Sequence, residues 1–406
     1  MKILIYEPDP GGHRFTAVRM LIDALAQIDS SEPLQISLAS IAAAVTTEEF
    51  ELQLAPVRDR FDFVAIPGFT RGAGSLKIAA EKVRVLSALL AERAFDHLYI
   101  PYADGMLQML GVMRLNPLFR WPANLVTEAL LMRGGFAYAG APRLSAWTNL
   151  RTLSWSGSER IHWIDPLPAR LIARKYPRLN QRCNLMPDPT PYLPGVDRQT
   201  ARNALQLPAA GRLLGCVGRI DQRKGMDRLI NAFARAELQA SDRLLLAGRQ
   251  TDEIRRQIES LDDAAVKERI ISIDRYLDND ELLFATSAID LMVTPYPDFV
   301  GSVSIVARAA MAQRMSLGAD TGWMGYVIPA FELGRVCDLH DQESLTRLLP
   351  SCLAASTHWQ PGPSAQAFLD FMAGDNVRAH WTALIRARLG APLPEPPRQW
   401  PDLTLE

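Results

Sequence analysis

Short apolar runs alternate with stretches of helical periodicity along most of the chain, and this alternation limits the possible folds most strongly. The first run, KILIY at residues 2–6, has the length of a strand, and Phe15, Val18 and Leu21 follow it at helical spacing. Such alternation predicts a parallel α/β sheet, because parallel strands are joined by helical crossovers. The later runs are LQISLAS, FDFVAIP, DHLYIPY, RLLGCVGRI, DRLLLAGR, RIISIDRY, AIDLMVTPY, MSLGAD and RVCDL.

The chain is too long for a single core, since 406 residues exceed the limit of roughly 250 at which single domains stop growing. A proline-rich polar stretch begins near Met186, before the second series of strands. We therefore predict two consecutive doubly wound domains at residues 1–188 and 189–374. Residues 375–406 are predicted to form a C-terminal helix and a proline-rich tail. One stripe of that helix combines Val377, Trp381, Leu384 and Ile385.

Composition excludes several classes of protein. A content of 48% hydrophobic and 22% charged residues is typical of a soluble globular protein, and the net charge of −1 argues against a nucleic-acid partner. The first apolar run ends at EPDPGG, too early for a signal peptide or membrane span. The cysteines have no paired spacing, so we expect no zinc site, no disulfides and a cytoplasmic location. They are Cys183, Cys216, Cys337 and Cys352.

The segment GCVGRIDQRKGMDRL has features of a phosphate site. A predicted strand ends at Gly218, Arg219 follows, and Lys224 and Gly225 stand where the next helix begins. Ligands of open α/β sheets bind beyond the carboxyl ends of strands, where helix N-termini favour anions. Arg219 can fork two phosphate oxygens and Lys224 supplies a compact charge, so the pair would stabilise a departing diphosphate. The alternative is that both are ordinary loop charges.

Several motifs occur in one order: GGH after the first strand, MPDP at the join, then VGRIDQRKGMDRLINAF, LLLAGR and AIDLMVTPY. In this the chain resembles the family 4 glycosyltransferases of the GT-B fold, over nearly all of the second domain and only the opening loop of the first. The resemblance implies two Rossmann-like domains facing across a cleft, with the C-terminal helix crossing back to the first. It also implies a nucleotide-sugar donor on the C-terminal domain, an acceptor on the N-terminal domain, and no metal.

The resemblance assigns roles to individual residues. Arg219 and Lys224 would hold the donor diphosphate and favour its departure. Gly11 and Gly12 would let the first loop approach the phosphate and the transferred sugar. His13 either contacts the donor or is a loop imidazole. Transfer would be retaining, with the leaving phosphate helping to deprotonate the acceptor and no protein nucleophile.

The stretch DFVGSVSIVARAAMAQ departs from the family, which usually carries two glutamates here, eight positions apart. Aligning AAMA with the family's EAMA places Gly301 and Ala309 at those positions, so both carboxylates are absent. In one interpretation Gly301, Ser302 and Ser304 bind the donor phosphate at a helix start, with Arg308 as a basic contact. In the other, the serines only cap the helix of a protein that binds without catalysing.

Three further residues are candidates. Asp104, before Gly105 at a strand end, either contacts the acceptor or transferred sugar or serves as a helix N-cap. Tyr276 stands where the family brackets the nucleotide base, with interdomain packing as the alternative. Glu332 either makes the ribose contact that the absent second glutamate would make, or is an acidic residue on a helix surface.

The stretch at residues 117–163 mixes tryptophans with arginines. Such a mixture either docks at the inner face of a membrane that carries lipid-linked acceptors, or forms core and rim.

We therefore expect a cytoplasmic, metal-independent glycosyltransferase of polysaccharide biosynthesis. It would move a sugar from a nucleoside-diphosphate sugar to a glycan, lipid-linked or small-molecule acceptor. The main alternative is an inactive protein of the same fold that binds nucleotide or glycan within a complex. A dinucleotide oxidoreductase is disfavoured, because EPDPGGH lacks the G-x-G-x-x-G spacing.

Overall fold

The computed structural model divides into two compact units. The first comprises Met1–Pro191 and Ala373–Trp400, and the second comprises the residues between them together with Pro401. Each unit is built on one parallel sheet, which confirms the predicted α/β fold with two doubly wound sheets. The structure describes residues 1–9, 14–30, 33–69, 74–137, 143–191, 193–341 and 343–401.

The sheet of the first unit has the strand order β3-β2-β1-β4-β5-β6-β7. Its strands are β1 (Lys2–Tyr6), β2 (Gln35–Ile41), β3 (Asp62–Ile66), β4 (His97–Ile100), β5 (Val126–Leu131), β6 (Arg160–Trp163) and β7 (Cys183–Leu185). The helices that accompany them are α1 (Arg14–Ala26), α2 (Glu48–Gln53), α3 (Ser75–Glu92), α4 (Met106–Met113), α5 (Arg143–Trp155), α6 (Pro166–Lys175) and α7 (Pro177–Asn180). The order changes direction at β1, which pairs with both β2 and β4.

Side chains of β1 alternate between two cores because successive residues of a strand point to opposite faces. Leu4 and Tyr6 belong to the core on one face, and Ile3 and Ile5 to the core on the other. Burial on both faces explains why this strand is a continuous apolar run rather than an alternating one.

The sheet of the second unit has the order β10-β9-β8-β11-β12-β13. Its strands are β8 (Leu213–Val217), β9 (Arg243–Ala247), β10 (Ile270–Ile273), β11 (Leu291–Thr294), β12 (Met315–Ala319) and β13 (Gly334–Cys337). Its helices are α8 (Arg198–Ala204), α9 (Met226–Arg235), α10 (Asp252–Glu259), α11 (Ala264–Glu268), α12 (Asn279–Ala288), α13 (Ser304–Met311), α14 (Gly322–Ala330), α15 (Ser344–Ser356) and α16 (Pro363–Met372). Here the order changes direction at β8, which pairs with both β9 and β11.

The last helix, α17 (Gly374–Leu389), belongs to the first unit, as predicted. Val377, Trp381 and Ile385 are buried in the core that α1 also lines. The hydroxyl of Tyr99 on β4 donates a hydrogen bond to the carbonyl of Trp381 at 2.8 Å. The apolar stripe read from the sequence is therefore the face by which α17 packs onto the first unit.

Candidate functional site

The carboxyl end of β8 is a tight glycine turn at the point where the strand order of the second unit changes direction. Gly218 has φ of +101°, and its N–H donates to the carbonyl of Ala247 at 2.8 Å. A Cβ on Gly248, whose φ is +137°, would stand 1.9 Å from the carbonyl oxygen of Gly218. Both positions therefore require glycine. Ligands of open α/β sheets bind at such switch points.

The segment after Gly218 leads directly into α9. Asp221 accepts a hydrogen bond from the backbone N–H of Lys224 at 3.1 Å, which closes a short 3-10 turn over Gln222–Lys224. Gly225 then adopts the left-handed conformation, with φ of +68°, and α9 begins at Met226. A Cβ on Gly225 would stand 1.8 Å from the carbonyl oxygen of Pro295. This close approach fixes the turn against the chain that follows β11.

Lys224 is half-buried beside Gly218. Its Nζ lies 5.4 Å from the centre of the Tyr296 ring and 3.5 Å from the point where a Cβ on Gly218 would stand. Burial lowers the pKa of Lys224, although nearby Cys216 and Asp221 oppose this. The structure thus brings two of the predicted site residues together and leaves the ammonium only partly solvated.

Arg219 takes a different position from the one that the sequence suggests. Its side chain is 67% exposed, and its Nε lies 3.0 Å from a carboxylate oxygen of Asp221. The same oxygen lies 3.5 Å from Arg223. Arg219 and Arg223 line a shallow depression of about 390 Å³ together with Thr251. Basic residues still outnumber acidic ones here, because Asp221 faces Arg219, Arg223 and Lys224, and Glu253 is the other acid that lines the depression.

The chain after β11 and the helix α13 carry the predicted phosphate contacts Gly301, Ser302 and Ser304, and Ala309 lies farther along α13. Gly301 is buried, while Ser302 and Ser304 are half-buried. The N-cap residue of α13 is Val303, so neither serine caps this helix in the described chain. The interpretation of these serines as helix caps is therefore wrong. Ala309 has no exposed surface, and its methyl group offers no polar contact to a nucleotide.

The loop before α13 is held by the start of α14. The N–H of Trp323 donates to the carbonyl of Val300 at 3.0 Å. Gly322 has φ of +63°, and a Cβ there would stand 2.6 Å from the Cα of Val300. This contact positions Gly301 and Ser302 near the carboxyl end of β11. Arg308, on α13, is half-buried.

The other candidates of the second unit lie on its surface. Tyr276 is 50% exposed between β10 and α12. Arg275, next to it, is held by an ion pair with Glu281 at 2.5 Å, and Glu281 completes a capping box at the start of α12. Glu332 is exposed just beyond α14, and its carbonyl accepts a hydrogen bond from the Trp359 indole at 3.2 Å.

Asp104 of the first unit is bound by backbone N–H groups. Its carboxylate accepts from Met132 at 3.2 Å and from Arg133 at 2.9 Å, just after β5. Burial raises the pKa of Asp104, and these two hydrogen bonds oppose the rise. The N-cap residue of α4 is Gly105, so the N-cap interpretation of Asp104 is wrong. Asp104 instead ties the end of β4 to the end of β5.

A cluster of charges after β1 is not among the residues predicted from the sequence. Glu7 is fully buried and accepts a hydrogen bond from Arg14 at 2.8 Å. Arg14 also binds Asp9 at 2.8 Å, and Lys82 pairs with Asp9. The Arg14 guanidinium lies 4.7 Å from the centre of the Tyr102 ring. The signal was the two acids of EPDP directly after a strand, followed by Arg14. The predicted donor residues Gly11, Gly12 and His13 lie outside the described residues.

Burial raises the pKa of Glu7 to about 7, although Arg14 lowers it. Its Oε2 has no hydrogen-bond partner within the described part of the chain. When Glu7 is protonated, its carboxyl group is neutral, so the buried Oε2 carries no negative charge that lacks a partner.

A second missed group lies inside the first unit. Glu128 on β5 binds His97 at 2.8 Å and His162 at 3.0 Å, and all three side chains are buried. Burial would raise the pKa of Glu128, but hydrogen bonds from His162 and His97 lower it to about 2. Asn184 connects His162 to His380 of α17. The network joins the sheet to α17, and its interior position indicates a structural role.

The described residues include no group of three or more His, Cys, Asp or Glu side chains arranged to hold a metal ion. Among the helices in the described ranges, none has the length and apolar character that crossing a bilayer requires.

Comparison with known proteins gives matches among solved structures only. No protein-family model matches the chain, and no curated protein is similar to it in sequence. A sucrose-phosphate synthase from Thermosynechococcus elongatus matches with a TM-score of 0.71 and 16% identity, over 96% of this chain and 99% of that one. HepE from Anabaena, solved with UDP and glucose, matches with a TM-score of 0.63 and 15% identity, over 95% and 100%.

WaaG, a glycosyltransferase involved in lipopolysaccharide biosynthesis, matches with a TM-score of 0.61 and 15% identity, over 94% of this chain and 100% of that one. These neighbours are glycosyltransferases of the GT-B fold, and this chain has the same fold. At such low identity the likeness concerns the fold and assigns no activity to this chain.

Proposed function

We propose that this protein is a glycosyltransferase that takes its sugar from a nucleoside-diphosphate sugar. The observation that supports this most is the half-buried Lys224 ammonium beside Gly218, where the sheet order of the second unit changes direction. Burial lowers the pKa of Lys224, so a bound anion would restore favourable interactions that water does not fully provide. Residues 189–374 would bind the donor and residues 1–188 the acceptor.

In the proposed reaction, the bond between the anomeric carbon of the sugar and the diphosphate oxygen breaks. The leaving diphosphate keeps the bonding electrons, and Lys224 and Arg219 stabilise its charge. The acceptor hydroxyl forms the new bond and gives its proton to the leaving phosphate. Transfer would retain the anomeric configuration and need no metal. The acceptor would be a glycan, a lipid-linked sugar or a small molecule.

The remaining predicted residues complete the proposed site. Gly301, Ser302 and Ser304 would receive the donor phosphate before α13, with Arg308 as a further basic group. Gly11, Gly12 and His13 would contact the donor from the first loop, Tyr276 would bracket the base, and Asp104 would contact the acceptor or transferred sugar. Because both Asp104 oxygens already accept backbone N–H groups, its part is to orient rather than to exchange a proton.

The alternative is an inactive protein of the same fold that binds nucleotide or glycan. The absence of both family glutamates, with a buried alanine at the second position, favours this alternative. The retained cations at the β8 turn favour catalysis. Donor turnover distinguishes the two.

Calorimetry with uridine, guanosine and adenosine diphosphates tests the proposed donor site. Lys224→Ala should weaken binding of the preferred diphosphate roughly tenfold or more, since a hydrogen bond to a charged group is lost. The matched control is Lys267→Ala, which removes an exposed lysine of α11 and should leave the affinity unchanged. Equal affinity in both variants would reject the site. Donor hydrolysis by the wild type would support transfer, and binding without hydrolysis of any donor would support the inactive alternative.

We also propose that a patch of the first unit contacts an anionic membrane, where lipid-linked acceptors lie. Six large apolar side chains are exposed on α4, on the loop after it and on α5, with Leu118 81% exposed. The two helices approach closely, since a Cβ on Gly111 would stand 1.9 Å from the carbonyl oxygen of Thr152. The six are Val112, Leu115, Leu118, Leu144, Trp147 and Trp155.

The charge of this region suits anionic lipid. Residues 105–158 contain five arginines and one carboxylate, Glu128, which is buried. Arg151 lies over the rings of Trp147 and Trp155, at 5.8 and 5.7 Å. Exposed aromatic and basic residues together favour an anionic bilayer surface.

Co-sedimentation with phosphatidylglycerol vesicles tests the patch. The double variant Leu118→Ser, Leu144→Ser should reduce the bound fraction severalfold, while Leu52→Ser, at an exposed position of α2, should not. Equal sedimentation of wild type and double variant would reject the membrane contact without bearing on the donor site.

A further inference from the structure

A polar groove lies at the amino ends of the strands in the second unit, the edge of the sheet opposite to Gly218 and Lys224. Its volume is about 760 Å³, and small-molecule sites span roughly 300–1,000 Å³. Its walls come from the chain before β8, β11 and β12, from the start of α8 and from residues after α15. The charged residues that line it are Arg198, Arg202, Arg212, Arg314, Asp197 and Asp290.

Asp290 is the buried carboxylate of the groove. It accepts hydrogen bonds from Arg202 at 2.8 Å and from the N–H of Leu213 at 2.7 Å, and it also pairs with Arg198. Asp197 is exposed and caps α8 by accepting from the N–H of Thr200 at 2.9 Å. Two guanidinium groups therefore share one buried carboxylate.

Of the other arginines on this edge, Arg212 pairs with the buried carboxylate of Asp242, while Arg202 and Arg314 also bind uncharged carbonyls. Arg202 donates to Ala288 at 3.0 Å and to Gly211 at 2.9 Å. Arg314 donates twice to the carbonyl of Ser287, at 3.0 and 2.8 Å. These hydrogen bonds fix Arg202 and Arg314 in place, and Arg314 forms no ion pair within the described part of the chain.

The pKa shifts agree with an excess of positive charge. Burial lowers the pKa of Arg314 and the nearby Arg198 lowers it further, while Asp290 opposes the fall. The pKa of Arg212 is instead raised by its hydrogen bonds to Asp242. Burial also lowers the pKa of Arg202, Asp290 raises it, and Arg198 lowers it. Cations that disfavour one another in a groove favour an anion between them.

Two arginines keep N–H groups for a ligand. Within the described part of the chain, Nε and Nη2 of Arg198 and Nη1 of Arg212 have no hydrogen-bond partner. Arg212 is fixed by two hydrogen bonds to Asp242, at 2.8 and 2.7 Å. Arg198 is 47% exposed and so remains accessible. A planar guanidinium with free N–H groups matches the oxygens of a phosphate.

We propose that this groove binds a phosphate group, either free or carried by a small metabolite, through Arg198 and Arg212. Arg314 supplies further positive charge. The groove is separate from the proposed donor site, because the two lie at opposite ends of the same strands. The inference therefore does not depend on the proposed transferase activity.

Calorimetry with inorganic phosphate and with glucose 6-phosphate tests this site. Arg198→Gln should weaken binding roughly tenfold or more, since it removes a charged fork. Arg256→Gln, at a 71% exposed arginine of α10 outside the groove, should leave binding unchanged. Lys224→Ala should also leave it unchanged, which separates the groove from the donor site. Tighter binding of glucose 6-phosphate than of phosphate identifies a metabolite site, and equal binding identifies a site for the free ion.

A second variant tests the groove even if Arg198→Gln fails to fold. Gln360→Glu keeps the shape of an exposed wall residue but adds a negative charge, so it should weaken both ligands without changing the melting temperature. The proposal is overturned if neither probe binds the wild type at millimolar concentration. It is also overturned if Lys224→Ala abolishes binding while Arg198→Gln and Gln360→Glu retain it.

Discussion

The two sheets carry contrasting charge at the carboxyl ends of equivalent strands. After β1, the buried Glu7 is paired with Arg14, and Asp9 is paired with Arg14 and Lys82. After β8, Asp221 faces three basic residues, among them the half-buried Lys224, and Glu253 lines the same depression. Both sheets have a switch point at which an anion could bind. In the first unit, however, the charged side chains at this point pair with one another. Only the second keeps an excess of positive charge for a ligand.

This contrast indicates where substitution should affect stability and where it should affect binding. Removal of a partner from the β1 cluster leaves a buried charge unpaired. Removal of a basic residue from the β8 turn leaves no buried charge unpaired and takes away a contact for an anion. The following predictions test that difference, in order of decreasing effect.

The largest effect is expected for Gly225→Ala at the β8 turn. The left-handed backbone costs an alanine about 1–2 kcal/mol, and its Cβ would clash with the carbonyl of Pro295. The free energy of unfolding should fall by at least about 4 kcal/mol in urea denaturation. Gly390→Ala is the matched control in the first unit, because Gly390 has φ of +66° and open space around it. Gly390→Ala should lower the free energy of unfolding by only about 1 kcal/mol. Similar losses in both variants would mean that the contact with Pro295 adds nothing to the backbone effect.

The next largest effect is expected for Arg14→Ala in the β1 cluster. It leaves Glu7 buried without its partner, which should lower the free energy of unfolding by about 3 kcal/mol at pH 8. Arg19→Ala removes a similarly exposed arginine of α1, whose partner Asp23 is itself partly exposed. That control should cost less than about 1 kcal/mol. Equal losses would show that Glu7 does not need Arg14.

A pH dependence follows from Glu7, whose pKa burial raises from 4.5 to about 7. The folded state binds this proton more tightly than the unfolded chain, so its contribution to stability is full below pH 4.5. That contribution is lost as pH rises to about 7, with a slope approaching about 1 kcal/mol per pH unit. Glu7→Gln should abolish this slope in urea denaturation between pH 4.5 and 8. Parallel stability curves for wild type and variant would contradict the raised pKa.

The smallest effect is expected for Arg219→Ala. Because its side chain is largely exposed and paired with Asp221, the affinity for the preferred nucleoside diphosphate should fall only about two- to fivefold. Lys224→Ala should have a clearly larger effect in the same calorimetric measurement. A greater loss for Arg219→Ala would reverse the ranking of the two cations and show that Arg219 leaves Asp221 when the ligand binds.

Hydrophobic periodicity predicted the architecture because it reports directly which face of an element is buried. Apolar runs identified the strands of both sheets. The stripe of Val377, Trp381 and Ile385 identified the packed face of α17.

Side-chain partners could be predicted much less well. Asp104 bonds to the N–H groups of Met132 and Arg133, which follow a different strand. The groove at the amino ends combines Arg198 and Arg314 around Asp290, from three separate parts of the chain. Nothing in the local sequence signals such partners, because they meet only when the sheet forms.

The sequence by itself determined the α/β class, the position of the glycine turn after β8 and the apolar stripe of α17. These depend on local backbone preference and on the spacing of apolar residues, which are written along the chain. The tertiary structure alone decided which charges are neutralised. Arg14 is paired with Glu7 and Arg219 with Asp221, whereas Lys224 forms no ion pair with a carboxylate among the described residues. Electrostatic interactions depend on distance and burial in space, and adjacency in sequence fixes neither.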